Sequence, residues 1–160
     1  MDLVSTTAVW KEFGENFITH SAAHHLLAIL EISTKQGYAR VSDVARHLDI
    51  TTGSVSTNLK SLKEKKLVLE DDNRFVLLSE EGKQYAHAIL MRRQLLRRLF
   101  LDILGVEKRQ AQIDACKMEH LLSAETTSKL AQFMLGGADK EVSKKVLEEA
   151  LNEGTDASHE

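Results

Sequence analysis

The stretch Val41-Ser42-Asp43-Val44-Ala45-Arg46-His47-Leu48-Asp49-Ile50-Thr51-Thr52-Gly53-Ser54-Val55-Ser56-Thr57-Asn58-Leu59-Lys60 decides the fold. Ser42 or Asp43 can open a short helix that turns Val44, Ala45 and Leu48 inward. Asp49 to Thr51 read as a turn. A second helix from about Thr52 to Glu64 sets Val55, Leu59 and Leu62 at i, i+4 and i+7 on one face. The period then changes. Leu67 to Glu70 and Phe75 to Leu78 read as two short strands joined by the turn-forming Asp71-Asp72-Asn73-Arg74. Helix, turn, helix and hairpin in this order and at these lengths make a winged helix-turn-helix.

Upstream, Thr19 or Ser21 can cap a helix whose apolar stripe holds Leu26, Leu27, Ile29, Leu30 and Ile32, and Gly37 ends it. Before it, Trp10, Phe13 and Phe17 fall on one side of a short helix, read as an extra core helix. Downstream, Ser79 caps a long helix from Glu80 to about Leu104, stopped by Gly105. Further helices cover about Glu107 to Leu121, Ser123 to about Phe133, and Lys140 to Asn152, with Gly136-Gly137 breaking the pattern and a frayed tail from Thr155. The expected architecture is mainly α: an N-terminal winged helix-turn-helix followed by an all-helical domain. The expected boundaries are 1–18 for an extension, 19–80 for the winged unit, 81–153 for the helical unit and 154–160 for the tail.

Composition narrows the function classes. The 160 residues carry 21 Lys+Arg against 24 Asp+Glu, one Cys and no Pro. One Cys excludes an internal disulfide framework and fits a reducing compartment. No apolar run reaches the roughly 20 residues of a membrane span, and Met1 to Gly14 lacks the basic-then-apolar pattern of a signal peptide. A cytoplasmic protein without a membrane partner is expected. Charge is uneven: Lys35 to Lys66 holds seven basic against three acidic residues, and Ile89 to Arg109 six against two. Local field, not net charge, attracts phosphates.

The second helix of the motif turns Thr52, Ser54, Ser56, Thr57, Asn58 and Lys60 outward. Small hydroxyl side chains let a helix sit deep in the major groove of double-stranded DNA, and Asn58 can read a base edge. Arg40, Arg46, Lys60, Lys63 and the wing's Arg74 are candidates for phosphate contacts. Cys116, Glu119 and His120 stand at i, i+3 and i+4, which on a continuous helix puts thiol, carboxylate and imidazole on one face. All three are ligands for divalent transition metals, and softness favours iron, zinc, cobalt or nickel over magnesium or calcium. His20, His24 and His25 on the first long helix offer a fourth ligand. A buried Cys beside a charged pair would give the same spacing. No phosphate-binding Gly-rich loop and no hydrolase triad is present, so no enzyme is expected. The same atoms could instead serve a Cys116–His120 nucleophile, or a small metal- or redox-sensing protein that acts without DNA.

The stretches Gly37-Tyr38-Ala39-Arg40-Val41-Ser42-Asp43-Val44-Ala45 and Asp114-Ala115-Cys116-Lys117-Met118-Glu119-His120-Leu121-Leu122-Ser123 resemble the diphtheria toxin repressor family of metal-dependent transcription regulators. The resemblance runs from about Thr19 to Phe133, in register, and leaves no room for the SH3-like third domain of the iron-type members. It implies a homodimer built on the helices after the wing, and a metal that licenses operator binding for repression. It also implies that Cys116, Glu119 and His120 ligate that metal. His24 stands where relatives supply a Met or Asp ligand, and imidazole can replace either; His20 and His25 are read as bystanders.

The departures from the family are specific. Manganese-type relatives carry a Glu at the position of Leu27. The relatives' shared His for a second metal is Arg93 here. The iron-type Glu and His are Arg97 and Gln112. Arginine stays protonated and cannot coordinate. One metal per protomer is therefore expected, with Arg93 free to pair a carboxylate such as Glu119 as a fixed charge in place of a metal. A thiolate disfavours manganese relative to iron, and the expected order is Fe(II), then Mn(II), then Zn(II). A metal-independent winged-helix regulator is the alternative.

Overall fold

The computed structural model describes residues 17–137. Six α-helices and one two-stranded hairpin follow in order: α1 (His20–Gln36), α2 (Val41–Leu48), α3 (Thr52–Glu64), β1 (Val68–Glu70), β2 (Val76–Leu78), α4 (Glu80–Arg98), α5 (Lys108–Met118) and α6 (Ala124–Gly137). The fold is mainly α, with the winged helix-turn-helix ahead of a helical unit. Among the described residues no helix is long and apolar enough to cross a membrane. Trp10, Phe13, the expected Lys140–Asn152 helix and the tail lie outside the described residues. Phe17 lies inside them, its ring 5.5 Å from that of Tyr85 and 4.7 Å below the Lys65 ammonium.

The α1 helix is the axle of the first half. Thr19 caps it by accepting a hydrogen bond from the Ala22 amide, and Gly37 ends it in the left-handed region at φ 81°, where a side chain is disfavoured. Ala23, Leu26, Ala28 and Ile29 are fully buried. Val44 and Ala45 of α2 and Val55, Leu59 and Leu62 of α3 join them in one apolar cluster that continues through Leu67, Val68, Val76, Ala86 and Ile89. The start of α2 differs from the reading of Ser42 or Asp43 as its cap. Arg40 takes the cap position, and Asp43, three residues in, accepts a hydrogen bond from the Arg40 amide at 3.0 Å. Thr51 caps α3 through the Ser54 amide.

The hairpin pairs Val68 with Leu78, Leu69 with Leu77 and Glu70 with Val76. Its turn is organised by the Asp71 carboxylate, which accepts from the amides of Asn73 and Phe75. The outer side of β2 is covered where the Val76 amide donates to the Ala39 carbonyl at 2.8 Å. Ser79 caps α4 through the Gly82 amide. Gly82 is required by contact: a Cβ there would stand 2.0 Å from the Leu67 carbonyl oxygen.

Two helix ends fall short of the periodic reading. The α4 helix gives way after Arg98 to a wider π turn, Leu99–Ile103, before Gly105 at φ 65°. The α5 helix is regular through Met118; Glu119 follows as its C-cap with helical φ and ψ and its amide bonded to the Ala115 carbonyl, so it keeps its place on the face with Cys116, while His120 lies in the turn beyond. In the other direction, α6 runs on through Gly136 and Gly137, where a break was expected.

Candidate metal centre and nucleic-acid face

The first turn of α1 brings His20 and His24 to the same side, one turn apart. The last turn of α5 brings Cys116 against them. His24 Nε2 lies 3.2 Å from Cys116 Sγ, a contact between residues 92 positions apart. One donor atom from each of His20, His24 and Cys116 falls within 4.8 Å of the others. His120, in the turn after α5, stands beside this group, its Nδ1 3.5 Å from that of His20. The rings of His20 and His24 meet edge to face at 4.5 Å, and those of His20 and His120 lie 4.9 Å apart.

Burial biases the protonation of His24, His120 and Cys116. It pushes the His24 imidazole below its ordinary value, with help from the charges of His20 and Arg93 and against that of Glu119. His120 is lowered by burial and then by His20. The Cys116 thiol is raised by burial and then by the Glu119 carboxylate, against Arg93. Neutral imidazoles are ready donors, whereas a protonated thiol must first release its proton. Imidazole nitrogens with one sulfur form a chemically competent set for a divalent transition ion.

Glu119 is fully buried, and Arg93 from the middle of α4 binds it. The guanidinium donates from Nε to one carboxylate oxygen and from Nη2 to the other, the latter at 2.7 Å. Both oxygens expected for a metal already have a partner. Arg93 therefore turns inward, as a fixed positive charge must if it is to stand in for an ion. The pair holds α4 to the turn after α5, and the Glu119 carboxylate raises the guanidinium pKa still further. Leu27 is buried, while Arg97 and Gln112 are exposed away from any cluster of metal-ligating side chains among the described residues.

His20 is the residue that the sequence reading set aside and the geometry brings in. Its signal was present in the i, i+4 spacing from His24, which shares the face directed at α5. His25 points elsewhere. It is buried in the apolar interior, Nδ1 donates to the Ser21 carbonyl at 2.6 Å, and Nε2 has no hydrogen-bond partner.

On α3 the side chains of Thr52, Ser54, Ser56, Thr57 and Lys60 are exposed and that of Asn58 is half-buried. Ser56, Thr57 and Asn58 donate to carbonyls four residues back, of Thr52, Gly53 and Ser54. This lays them flat and leaves their oxygens outward. Arg46 is highly exposed beside Asp43. Arg40 stacks over Tyr38 and Phe75, 5.6 and 5.1 Å from their ring centres. Lys63 is paired with Glu70 of the wing, and Arg74 sits at the exposed wing tip with φ 61°.

A winged helix-turn-helix is thus joined to a helical unit, with a histidine–thiol cluster between them. Residues 79–136 match the family described as the iron dependent repressor, metal binding and dimerisation domain. The HTH-type transcriptional regulator MntR of Bacillus velezensis is 29% identical over 129 residues, covering 81% of this chain and 90% of that protein. The manganese regulator SloR has a similar solved structure, with a TM-score of 0.65 and 22% identity over 73% of this chain. The chain spans about half of it, 54% of its length. The hypothetical protein SSo2273 from Sulfolobus solfataricus superposes with a TM-score of 0.62 and 21% identity, over 73% of this chain and 89% of that one. In its helical half and in its fold the chain is similar to the diphtheria toxin repressor family of metal-dependent regulators.

Proposed function

We propose that the chain is itself a metal-dependent, DNA-binding transcriptional repressor of metal-homeostasis genes, acting as a cytoplasmic homodimer and not as an enzyme. The observation that carries this reading is the 3.2 Å approach of His24, on the helix beneath the DNA-facing motif, to Cys116 on α5. A divalent ion bound there by His24, Cys116 and His120 would tie the winged unit to the helical unit. The thiol and imidazoles hold the two elements in one register. The α3 face of Thr52, Ser54, Ser56, Thr57, Asn58 and Lys60 enters the major groove, while Arg40, Arg46, Lys63 and Arg74 meet phosphates. Two such faces in a dimer must match half-sites one helical turn or a multiple apart, so the angle between units sets affinity. By linkage, operator DNA tightens metal binding as much as metal tightens DNA binding.

Ferrous iron ranks first as the signal because a thiolate disfavours manganese. Engagement of Glu119 by Arg93 takes away the carboxylate that would suit manganese and moves it below zinc, although the similar SloR is a manganese regulator. Fluorescence anisotropy tests the reading, on DNA from upstream of the chain's own gene and under anaerobic conditions. Chelator, Fe(II), Mn(II) and Zn(II) are compared, beside Cys116→Ala and His24→Ala. Tight binding only with metal, lost in both variants, is the expected result. Equal binding in strong chelator would favour a second reading, a metal-independent regulator. The Arg93–Glu119 pair supports that alternative because it already supplies a permanent tie between α4 and the α5 turn.

A further inference from the structure

We infer that His20 is a ligand of the centre and that Glu119 is not, so that the chain holds its metal in a cage of three imidazoles and one thiolate: His20, His24, Cys116 and His120. The inference rests on the reading that a metal binds between α1 and the end of α5, and it names the donors and the class of ion. Three observations carry it. A donor atom of His20 lies within 4.8 Å of those of both His24 and Cys116. The facing nitrogens of His20 and His120 are 3.5 Å apart, and His24 Nε2 is 3.2 Å from Cys116 Sγ. Both Glu119 oxygens are bonded to the Arg93 guanidinium in a place without solvent exposure.

The spacings have a simple meaning. Donors about 2.0–2.1 Å (nitrogen) and 2.3 Å (sulfur) from a tetrahedral zinc ion stand roughly 3.3 Å apart for a nitrogen pair and roughly 3.6 Å for nitrogen and sulfur. The two donor pairs are already close to that size. Moving Glu119 into such a cage would strip Arg93 of its partner, and an unpaired half-buried cation is costly. A cage without carboxylate is also softer and carries less negative charge. It suits Zn(II), Co(II) and Fe(II), and it discriminates against Mn(II), which depends on oxygen donors.

The test uses the full chain, anaerobic and reduced, titrated with Co(II) as a spectroscopic probe and then with Zn(II) in competition with a chromophoric chelator. Wild type is compared with Cys116→Ala, His20→Ala and Glu119→Gln, with helical circular dichroism checked for each. Expected for wild type is one ion per protomer, with a thiolate-to-cobalt charge-transfer band and intense tetrahedral ligand-field absorption. Cys116→Ala abolishes the charge-transfer band. His20→Ala keeps that band, loses ligand-field intensity, and weakens zinc affinity by more than the roughly 10–100-fold that loss of an outer-shell partner costs. Glu119→Gln keeps the wild-type spectrum and loses less affinity than His20→Ala. Should Glu119→Gln fold poorly, the Arg93→Met/Glu119→Leu double variant, which removes both charges, takes its place with the same expectation.

Wild-type affinity and spectrum in His20→Ala would overturn the inference while leaving a metal centre standing. So would a folded Glu119→Gln, or the double variant, that loses metal as fully as Cys116→Ala. A wild-type chain that binds no cobalt or zinc would overturn the inference and the metal-dependent reading together.

Discussion

Up to Ile89 the described interior is one run of apolar side chains with a single polar intruder, His25; past Ile89 the buried apolar residues are Leu96, Ala111 and Ala115, sharing their interior with the Glu119 carboxylate. The surfaces differ less sharply, since the longer first half also exposes Phe17, Tyr38, Ile50, Leu69 and Leu77. Met91, Ile103, Leu104, Met118, Leu121 and Phe133 are large apolar side chains left exposed on the second half. The first half gains its stability by removing hydrocarbon from water, as a self-sufficient unit does. The second half is held at its centre by an ion pair and leaves hydrocarbon uncovered, the condition of an element built to be completed by another surface. On the proposed function, the DNA-facing unit can thus stay rigid while the unit that would carry the ion is less firmly packed.

The comparison is broken most directly at Arg93. Arg93→Met strands the buried Glu119 carboxylate and is expected to cost about 3–5 kcal/mol, measured by urea denaturation in chelator. Adding Glu119→Leu should recover most of that loss; equal losses in the single and double variants would mean that the pair does not organise the second half. The next effect belongs to the joint between the halves. Gly82→Ala drives a methyl group onto the Leu67 carbonyl, where backbone cannot yield cheaply. A loss toward the upper end of about 1–3 kcal/mol, seen as a lowered melting temperature, is expected. Within the first half, Thr51→Ala removes the acceptor for the Ser54 amide and should cost about 1 kcal/mol, followed by thermal melting without DNA.

The smallest effect is electrostatic. Lys35 hydrogen-bonds the Glu31 carboxylate and, with His47 adding to it against partial burial, holds it below the usual carboxylate range. Its stabilisation is therefore present above the ordinary carboxylate pKa and is lost as pH falls through the depressed folded value. Glu31→Gln should flatten the acid limb of the stability profile by about 0.3–0.5 kcal/mol, the size of an exposed helical pair. A larger change would mean that the first half leans on charge more than its apolar interior suggests.

The two halves also differed in how far they could be read from sequence. Val55, Leu59 and Leu62 announce α3 by periodicity, and their burial follows the pattern. The start of α2 was less legible because Asp43 acts from the third helical position while Arg40, an unusual residue there, holds the cap position ahead of the helix. In the second half, no Gly or Pro between Met118 and Ser123 marks the end of α5, so the periodic reading ran past it. The π turn after Arg98 carries no local signal either. At the centre, His24 and Cys116 were legible from donor type and family register, and the absence of a ligand at position 93 suggested an Arg93–Glu119 pair. The place of His20 depended on where α5 ends, which only the packed structure defines. The closeness of Gly82 to Leu67 is a purely tertiary fact.

The bond from the Val76 amide to the Ala39 carbonyl has a consequence in time. A two-stranded hairpin alone is marginal in water, so this wing opens as fast as its anchorage allows. Since its inner strand is tied to the segment between α1 and α2, the amide of Val76 can exchange with deuterated solvent only when that segment also parts. Its protection should then approach that of the amides buried around Leu62, while amides at the wing tip exchange within the hairpin's own fluctuations. The wing would thus be two clocks on one hairpin: a slow one at its root that keeps the time of the whole reader, and a fast one at the tip where Arg74 projects.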